Sequence, residues 1–165
     1  MSVAGFAADR AALGREIAAL KERGLRVVLA NGCFDLVHVG HVRYLAAARA
    51  RGDLLVVAIN SDESVRALKG AGRPLMPAAE RAEILLALSC VERVVAFDES
   101  DLEATLRALR PDVHAKGTDY TVDTVPEAAV DRELGIEIAI CGDPKEHSTT
   151  GVLERTRASG ARPRA

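Results

Sequence analysis

Cysteine is scarce in this chain. Cys33, Cys90 and Cys141 are odd in number, far apart and without Cys-x-x-Cys spacing, which excludes a disulfide framework and a thiolate zinc site and fits a reducing compartment. An excess of one charge is also lacking: 22 basic residues face 24 acidic ones, for a net charge of −2. No nucleic-acid or membrane surface is advertised, neither partner is expected, and any phosphate binding has to be local. No apolar run is long enough to span a membrane, and Asp9 and Arg10 stand close behind a short Ala-containing opening that lacks the layout of a secretory signal, so a cytoplasmic protein is expected. Internal repeats are missing as well. A length of 165 residues suffices for one sizeable core and is short for two, so one domain is expected over 1–158. Residues 159–165, with Gly, Pro and Arg and no apolar period, read as a disordered tail.

What the chain does have is a repeated alternation of apolar runs with segments of helical period, the pattern of a parallel sheet covered by helices. Leu13, Ile17 and Leu20 share one face of a first helix closed by Gly24, and Arg26 to Ala30 reads as a buried strand ending in Asn31-Gly32. A second helix runs from about Gly40 to Arg51, and a strand over Leu54 to Ile59 ends in Asn60-Ser61-Asp62, a loop and cap. A helix after Pro77 carries Arg81, Leu85 and Leu88 on one stripe, followed by a strand over Val91 to Phe97. Ser100 and Glu103 read as a capping box ahead of Leu102, Leu106 and Leu109, in a helix ended by Arg110-Pro111. Asp112 to Ala115 and Ile136 to Cys141 complete the strands. The expected fold is therefore α/β: a Rossmann-like, doubly wound parallel sheet with helices on both faces.

Ligands of such sheets bind beyond the carboxyl ends of the strands, which directs attention to the loops after Ala30, Ile59, Ala115 and Cys141. In the first loop, running from Asn31 to His41, His38 and His41 flank Gly40 where a strand gives way to a helix. A helix start offers unpaired N–H groups and a positive dipole end, the glycine admits a close anion, and both imidazoles can donate to phosphate oxygens. Taken alone, a histidine pair reads more readily as a local cap and a core residue; its place after a strand reverses that preference.

The run Gly32-Cys33-Phe34-Asp35 followed by His38-Val39-Gly40-His41 resembles the His-x-Gly-His signature of the cytidylyltransferase-like nucleotidyltransferases. Leu68-Lys69-Gly70-Ala71-Gly72-Arg73-Pro74 with Pro77 and Arg81 is similar to the basic stretch of one branch, the heptose 1-phosphate adenylyltransferases of bacterial cell-surface biosynthesis. Lys116-Gly117-Thr118-Asp119-Tyr120 resembles a later motif of that branch, and Ser148-Thr149-Thr150 its phosphate-holding Ser-Thr-Thr element. The four motifs keep their order from about Arg26 to Arg155, each at a loop where the sheet argument places a site.

The resemblance implies a Rossmann-like domain in which a substrate phosphate attacks the nucleotide α-phosphate directly, with Mg2+ accompanying ATP. His38 and His41 would stabilise charge developing on the α-phosphate, and Lys69 would be a mobile cation in a glycine-flanked loop, its alternative being a solvated lysine. Arg81 would clamp nucleotide phosphate and Arg73 the substrate, the latter against the reading of an ordinary surface arginine. Gly32, Cys33, Phe34 and Gly40 would line the nucleotide's phosphates, while Lys116, Gly117, Asp119 and Tyr120 would border its base or ribose, unless that stretch is simply a turn. Ser148, Thr149 and Thr150 form a second anion site, although Ser148 alone would serve as a cap. Asp35, Asn60 and Asp62 are assigned to substrate; for the two aspartates the alternatives are a water-bridged metal contact or a helix cap. No side chain is assigned as a direct metal ligand, and neither His114 nor His147 as catalytic.

Two positions depart from the family pattern. Gly151 replaces a better helix former, which costs about 1 kcal/mol relative to alanine, and Thr118 stands where a second glycine is frequent, which would narrow the base pocket. The chain has no room for the sugar kinase to which this domain is fused in many bacteria, so a stand-alone form is expected, and the family implies a homodimer. The implied reaction joins AMP from ATP to D-glycero-D-manno-heptose 1-phosphate, giving ADP-heptose and pyrophosphate. The alternatives are a cytidylyltransferase using CTP with an alcohol phosphate such as glycerol 3-phosphate, and a non-catalytic nucleotide-binding regulator.

Overall fold

A computed structural model describes residues 4–143. Its frame is one six-stranded sheet in which every pairing is parallel. The strands are β1 (Phe6–Ala7), β2 (Val27–Gly32), β3 (Leu54–Asn60), β4 (Arg93–Phe97), β5 (Val113–Gly117) and β6 (Glu137–Cys141). The helices are α1 (Arg10–Glu22), α2 (Val39–Arg49), α3 (Asp62–Lys69), α4 (Ala78–Leu86), α5 (Glu103–Leu109) and α6 (Ala128–Leu134). In the sheet the order is β1-β4-β3-β2-β5-β6. The chain thus builds outward from β2 through β3 to β4, then returns to lay β5 on the other side of β2. That reversal leaves a crevice between the carboxyl ends of β2 and β5.

The strands alternate because both faces are covered. Val28 and Ala30 of β2 face a core shared with Leu45 and Ala48 of α2 and with Ala82 and Leu85 of α4. Val27 and Leu29 face the opposite core, with Leu13 and Ile17 of α1, Leu106 and Leu109 of α5, and Val130 of α6. Each such Leu, Ile or Val taken from water contributes about 1.5–3 kcal/mol. Gly14 lets α1 lie close on α5, since a Cβ there would stand 2.4 Å from the Ala108 carbonyl oxygen.

Strands and long helices follow the sequence reading, with ends shifted by one to three residues. The proposed capping box of Ser100 and Glu103 is corrected: α5 begins at Glu103, whose N–H donates to Asp101 Oδ1 at 3.1 Å, and its N-cap, Leu102, caps nothing with its side chain. Asp101 wins because its carboxylate lies two residues from that amide and forms an Asx turn. Lys69 is not in a loop but is the last residue of α3, whose N-cap Ser61 accepts from the Ser64 N–H at 3.2 Å. β1 and α6 were not anticipated; β1 is a two-residue edge strand, and α6 has a mixed face that includes the buried Asp131. Among the described residues no helix is long and apolar enough to cross a membrane. The tail 159–165 and the Ser148–Thr150 element lie outside them.

Candidate active site

The site is built at the carboxyl edge of the sheet from the segment joining β2 to α2. Phe34 turns that segment through a left-handed conformation, φ 49°, rare for a residue with a side chain. Its buried ring lies so close to Gly32 that a Cβ there would stand 3.0 Å from it, and it packs tilted against His41 at 5.1 Å. His38 is the N-cap of α2 in extended conformation, which leaves the Val39 and Gly40 N–H groups at the helix start without intrahelical acceptors. His38 and His41 stack with centroids 3.8 Å apart and planes 23° from parallel.

The stack has an electrostatic consequence. Burial, then the charges of His38 and Lys69, lower the His41 pKa to about 4, against a hydrogen bond with the Leu36 backbone that raises it. At neutral pH the His41 ring is uncharged. Its Nδ1 accepts from the His38 N–H at 3.3 Å, which assigns the ring proton to Nε2. Lys69, exposed at the end of α3, is close enough for its charge to be felt at His41. Histidine donors, helix-start amides and a lysine therefore converge on one place, an arrangement suited to a phosphate rather than to a nucleophile or a metal.

Several residues expected to touch ligand are engaged in holding the site's frame. Arg81 is fully buried, 0% exposed. Its guanidinium donates to the carbonyls of Cys33 at 2.6 Å, Asn60 at 2.8 Å and Met76 at 3.1 Å, and to Asp62 Oδ1 at 2.8 Å. It ties together the ends of β2 and β3 and the segment ahead of α4. Asn60 is likewise tied in: its amide donates to Ser64 Oγ at 3.0 Å, and its Oδ1 accepts from Cys33 Sγ at 3.4 Å. Asp35, 1% exposed, pairs with Arg73 and accepts from the Leu75 and Met76 N–H groups at 2.6 and 3.2 Å. Burial pushes its pKa up, but the Arg73 bond, the two backbone bonds and the Arg73 charge together hold it below the ordinary carboxylate value. Asp35 and Arg73 thus strap the 70–77 segment onto the β2 loop. Asp62 keeps a side chain 40% exposed beside Arg81.

On the other wall of the crevice, β5 delivers Lys116 and Gly117. Lys116 is buried, pairs with Glu127 Oε2 at 2.9 Å, donates to Asn31 Oδ1 at 3.1 Å and lies 5.3 Å from the centre of the Tyr120 ring. Tyr120 closes a turn by donating its N–H to the Gly117 carbonyl at 3.1 Å. Gly117 has to lack a side chain because a Cβ would stand 2.8 Å from Asp119 Oδ1. The Thr118 hydroxyl donates to the Asp143 carbonyl at 2.7 Å, which anchors this loop to the end of β6. The sequence reading missed Asn31, Glu127 and Tyr44, whose hydroxyl donates to the Ala115 carbonyl at 2.8 Å. A signal was present: Glu127 and Asp131, four apart, face His114 and Lys116, two apart, which matches helix against strand period. Among the described residues there is no cluster of three side chains able to hold a metal ion.

The family model described as Cytidylyltransferase-like matches residues 29–155, the span that contains both walls of this crevice. The chain is 50% identical over 146 residues to the Bifunctional protein HldE of Geotalea uraniireducens, covering 88% of this chain and 30% of that protein. To its namesake in Geobacter sulfurreducens it is 50% identical over 139 residues, covering 84% and 28%. The chain therefore spans less than a third of the length of these relatives. Among solved structures it is similar to a lipopolysaccharide core biosynthesis protein from Thermoplasma volcanium, with a TM-score of 0.63 and 26% identity, covering 74% of this chain and 100% of that one. With the family model matched across most of its length and its motifs gathered at one crevice, the chain belongs to the cytidylyltransferase-like family.

Proposed function

We propose that this protein transfers AMP from ATP to D-glycero-D-manno-heptose 1-phosphate, forming ADP-heptose and pyrophosphate. The observation that carries the reading is the stacked His38–His41 pair over the start of α2, beside the β2–β5 crevice. The choice of a sugar phosphate rests on the likeness to the HldE proteins and to the lipopolysaccharide core biosynthesis protein. In this reaction a phosphate oxygen of the sugar 1-phosphate attacks the α-phosphorus in line. The new P–O bond forms as the bond to the β-phosphate bridging oxygen breaks, and pyrophosphate leaves with that electron pair. The attacking oxygen is already an anion, so no general base is required; the demand is for donors where charge grows.

His38, His41 and the Val39 and Gly40 amides meet that demand at the α-phosphate, and Lys69 approaches from α3. Because His41 is neutral, it donates a hydrogen bond without a charge that would hold the product. Asp35, Arg73 and Arg81 keep the loops in register around the reacting atoms. The Lys116 wall receives the nucleoside. Mg2+ would arrive with the nucleotide's phosphates and neutralise them. The described residues offer a single carboxylate edge, Asp62, rather than a cage, which fits an ion that keeps much of its water. A homodimer belongs to the same proposal and is checked by light scattering.

The reading is tested by following pyrophosphate release with heptose 1-phosphate and ATP, and with glycerol 3-phosphate and CTP, for the native protein and His41→Ala. Release with the first pair, lost by at least about 100-fold in the variant, supports an enzyme of this specificity. Release with the second pair alone makes it a cytidylyltransferase. Nucleotide binding without release from either pair makes it a binding protein.

A further inference from the structure

Two buried polar pairs fasten α6 to β5. His114 Nδ1 meets Asp131 Oδ2 at 2.9 Å, with both side chains fully buried, and Lys116 Nζ meets Glu127 Oε2 at 2.9 Å, with both about 5% exposed. Buried ion pairs are poor devices for stability, because desolvation offsets most of their attraction and an apolar pair of similar volume does as well. The first pair touches no other site residue. The second ends at the crevice, where the same ammonium donates to Asn31 at the end of β2 and lies against Tyr120 in the loop after β5.

We propose that Glu127 is a positioning residue for nucleotide binding, acting through Lys116. The carboxylate anchors the ammonium across the mouth of the β2–β5 crevice. Lys116 in turn fixes Asn31 with its oxygen inward, so that its NH2 group is the end left for a ligand, and holds the Tyr120 ring in place. Without Glu127 the ammonium is free to take other rotamers, and Asn31 and Tyr120 lose their reference point. The inference rests on the proposed reading that a nucleotide occupies this crevice. It concerns affinity rather than turnover.

Binding of ATP with MgCl2 is measured by titration calorimetry for the native protein, Glu127→Gln, Lys116→Met and the double variant, alongside thermal unfolding. Glu127→Gln is expected to weaken ATP binding by about tenfold or more, the order of one charge-assisted hydrogen bond. In the Lys116→Met background the same change is expected to add less than about twofold. A third protein, Lys116→Met with Glu127→Leu, restores the melting temperature but not the ATP affinity, which separates positioning from folding. Native-like affinity in Glu127→Gln or in the apolar pair, additive losses in the double variant, or no ATP binding by the native protein would each overturn the inference. Turnover of heptose 1-phosphate is measured separately, so its absence sinks the functional reading while leaving the affinity comparison intact.

Discussion

Arg81 separates two roles that give opposite signatures on substitution. As a phosphate clamp, its loss would weaken nucleotide binding and leave folding alone. The structure instead makes it a strut: 0% exposed, with four bonds to three carbonyls and one carboxylate. Arg81→Met keeps much of the apolar stem but strands the Cys33, Asn60 and Met76 carbonyls. At about 1–3 kcal/mol for each buried acceptor left unpaired, offset by relief of burying a guanidinium and by water reaching the partly exposed Cys33 and Met76, the net loss is about 3–5 kcal/mol. That is a large part of the 5–15 kcal/mol by which domains of this size are typically stable. A shift of roughly 2–4 °C per kcal/mol then predicts a melting temperature lower by about 6–20 °C. Arg81→Lys should recover less than half of the loss, since one ammonium cannot reproduce a fork that serves three loops. The assay is urea and thermal unfolding with and without ATP. Native-like unfolding of Arg81→Met, with only its ATP response lost, would refute the reasoning and return Arg81 to the ligand.

Other consequences follow from the same contacts. The folded pKa of His41, about 4, lies below the value near 6.5 in an unfolded chain, so between those limits the unfolded state binds more protons and stability falls as pH falls. The loss saturates below pH 4 at about 1–2 kcal/mol once partial exposure of the ring is discounted; unfolding from pH 7 to 4 should be flatter in His41→Gln, and an NMR titration should find the imidazole neutral at pH 6. Gly14→Ala places a methyl against the Ala108 carbonyl and should cost about 1–3 kcal/mol by moving α1 off α5, with ATP affinity kept; equal urea midpoints would sink this. Asp35→Asn should release the 70–77 segment from Arg73, raising KM for the sugar phosphate several-fold with a smaller effect on ATP, as initial-rate kinetics would reveal.

The sheet and its helices were legible because both faces are buried and local signals agree with the global arrangement. Runs such as Val27 to Ala30 and Leu55 to Ile59 can be little else than central strands. Where polar residues serve the interior, the sequence misleads. Asp131 sits in the buried stripe of α6 and hides its helical period, and Asp101 takes the cap that Ser100 and Glu103 promised. The histidine pair was legible because its chemistry is local, with cap and third helical position in one short run. Arg81 and Asp35 were visible as charges near the site, but sequence cannot say whether a charge faces ligand or frame. That depends on contacts reaching 21 to 48 residues along the chain. Lys116 and Glu127 pose the same problem, since their partnership exists only once α6 returns over β5.

The central claim is tested most directly by incubating the protein and Mg2+ with heptose 1-phosphate, in each anomer, against each of the four nucleoside triphosphates, and weighing the products by mass spectrometry. ADP-heptose is the predicted dominant product, with one pyrophosphate per turnover. A different nucleotide-heptose would contradict the assignment of the base, and no nucleotide-sugar from any combination would contradict the proposed function itself.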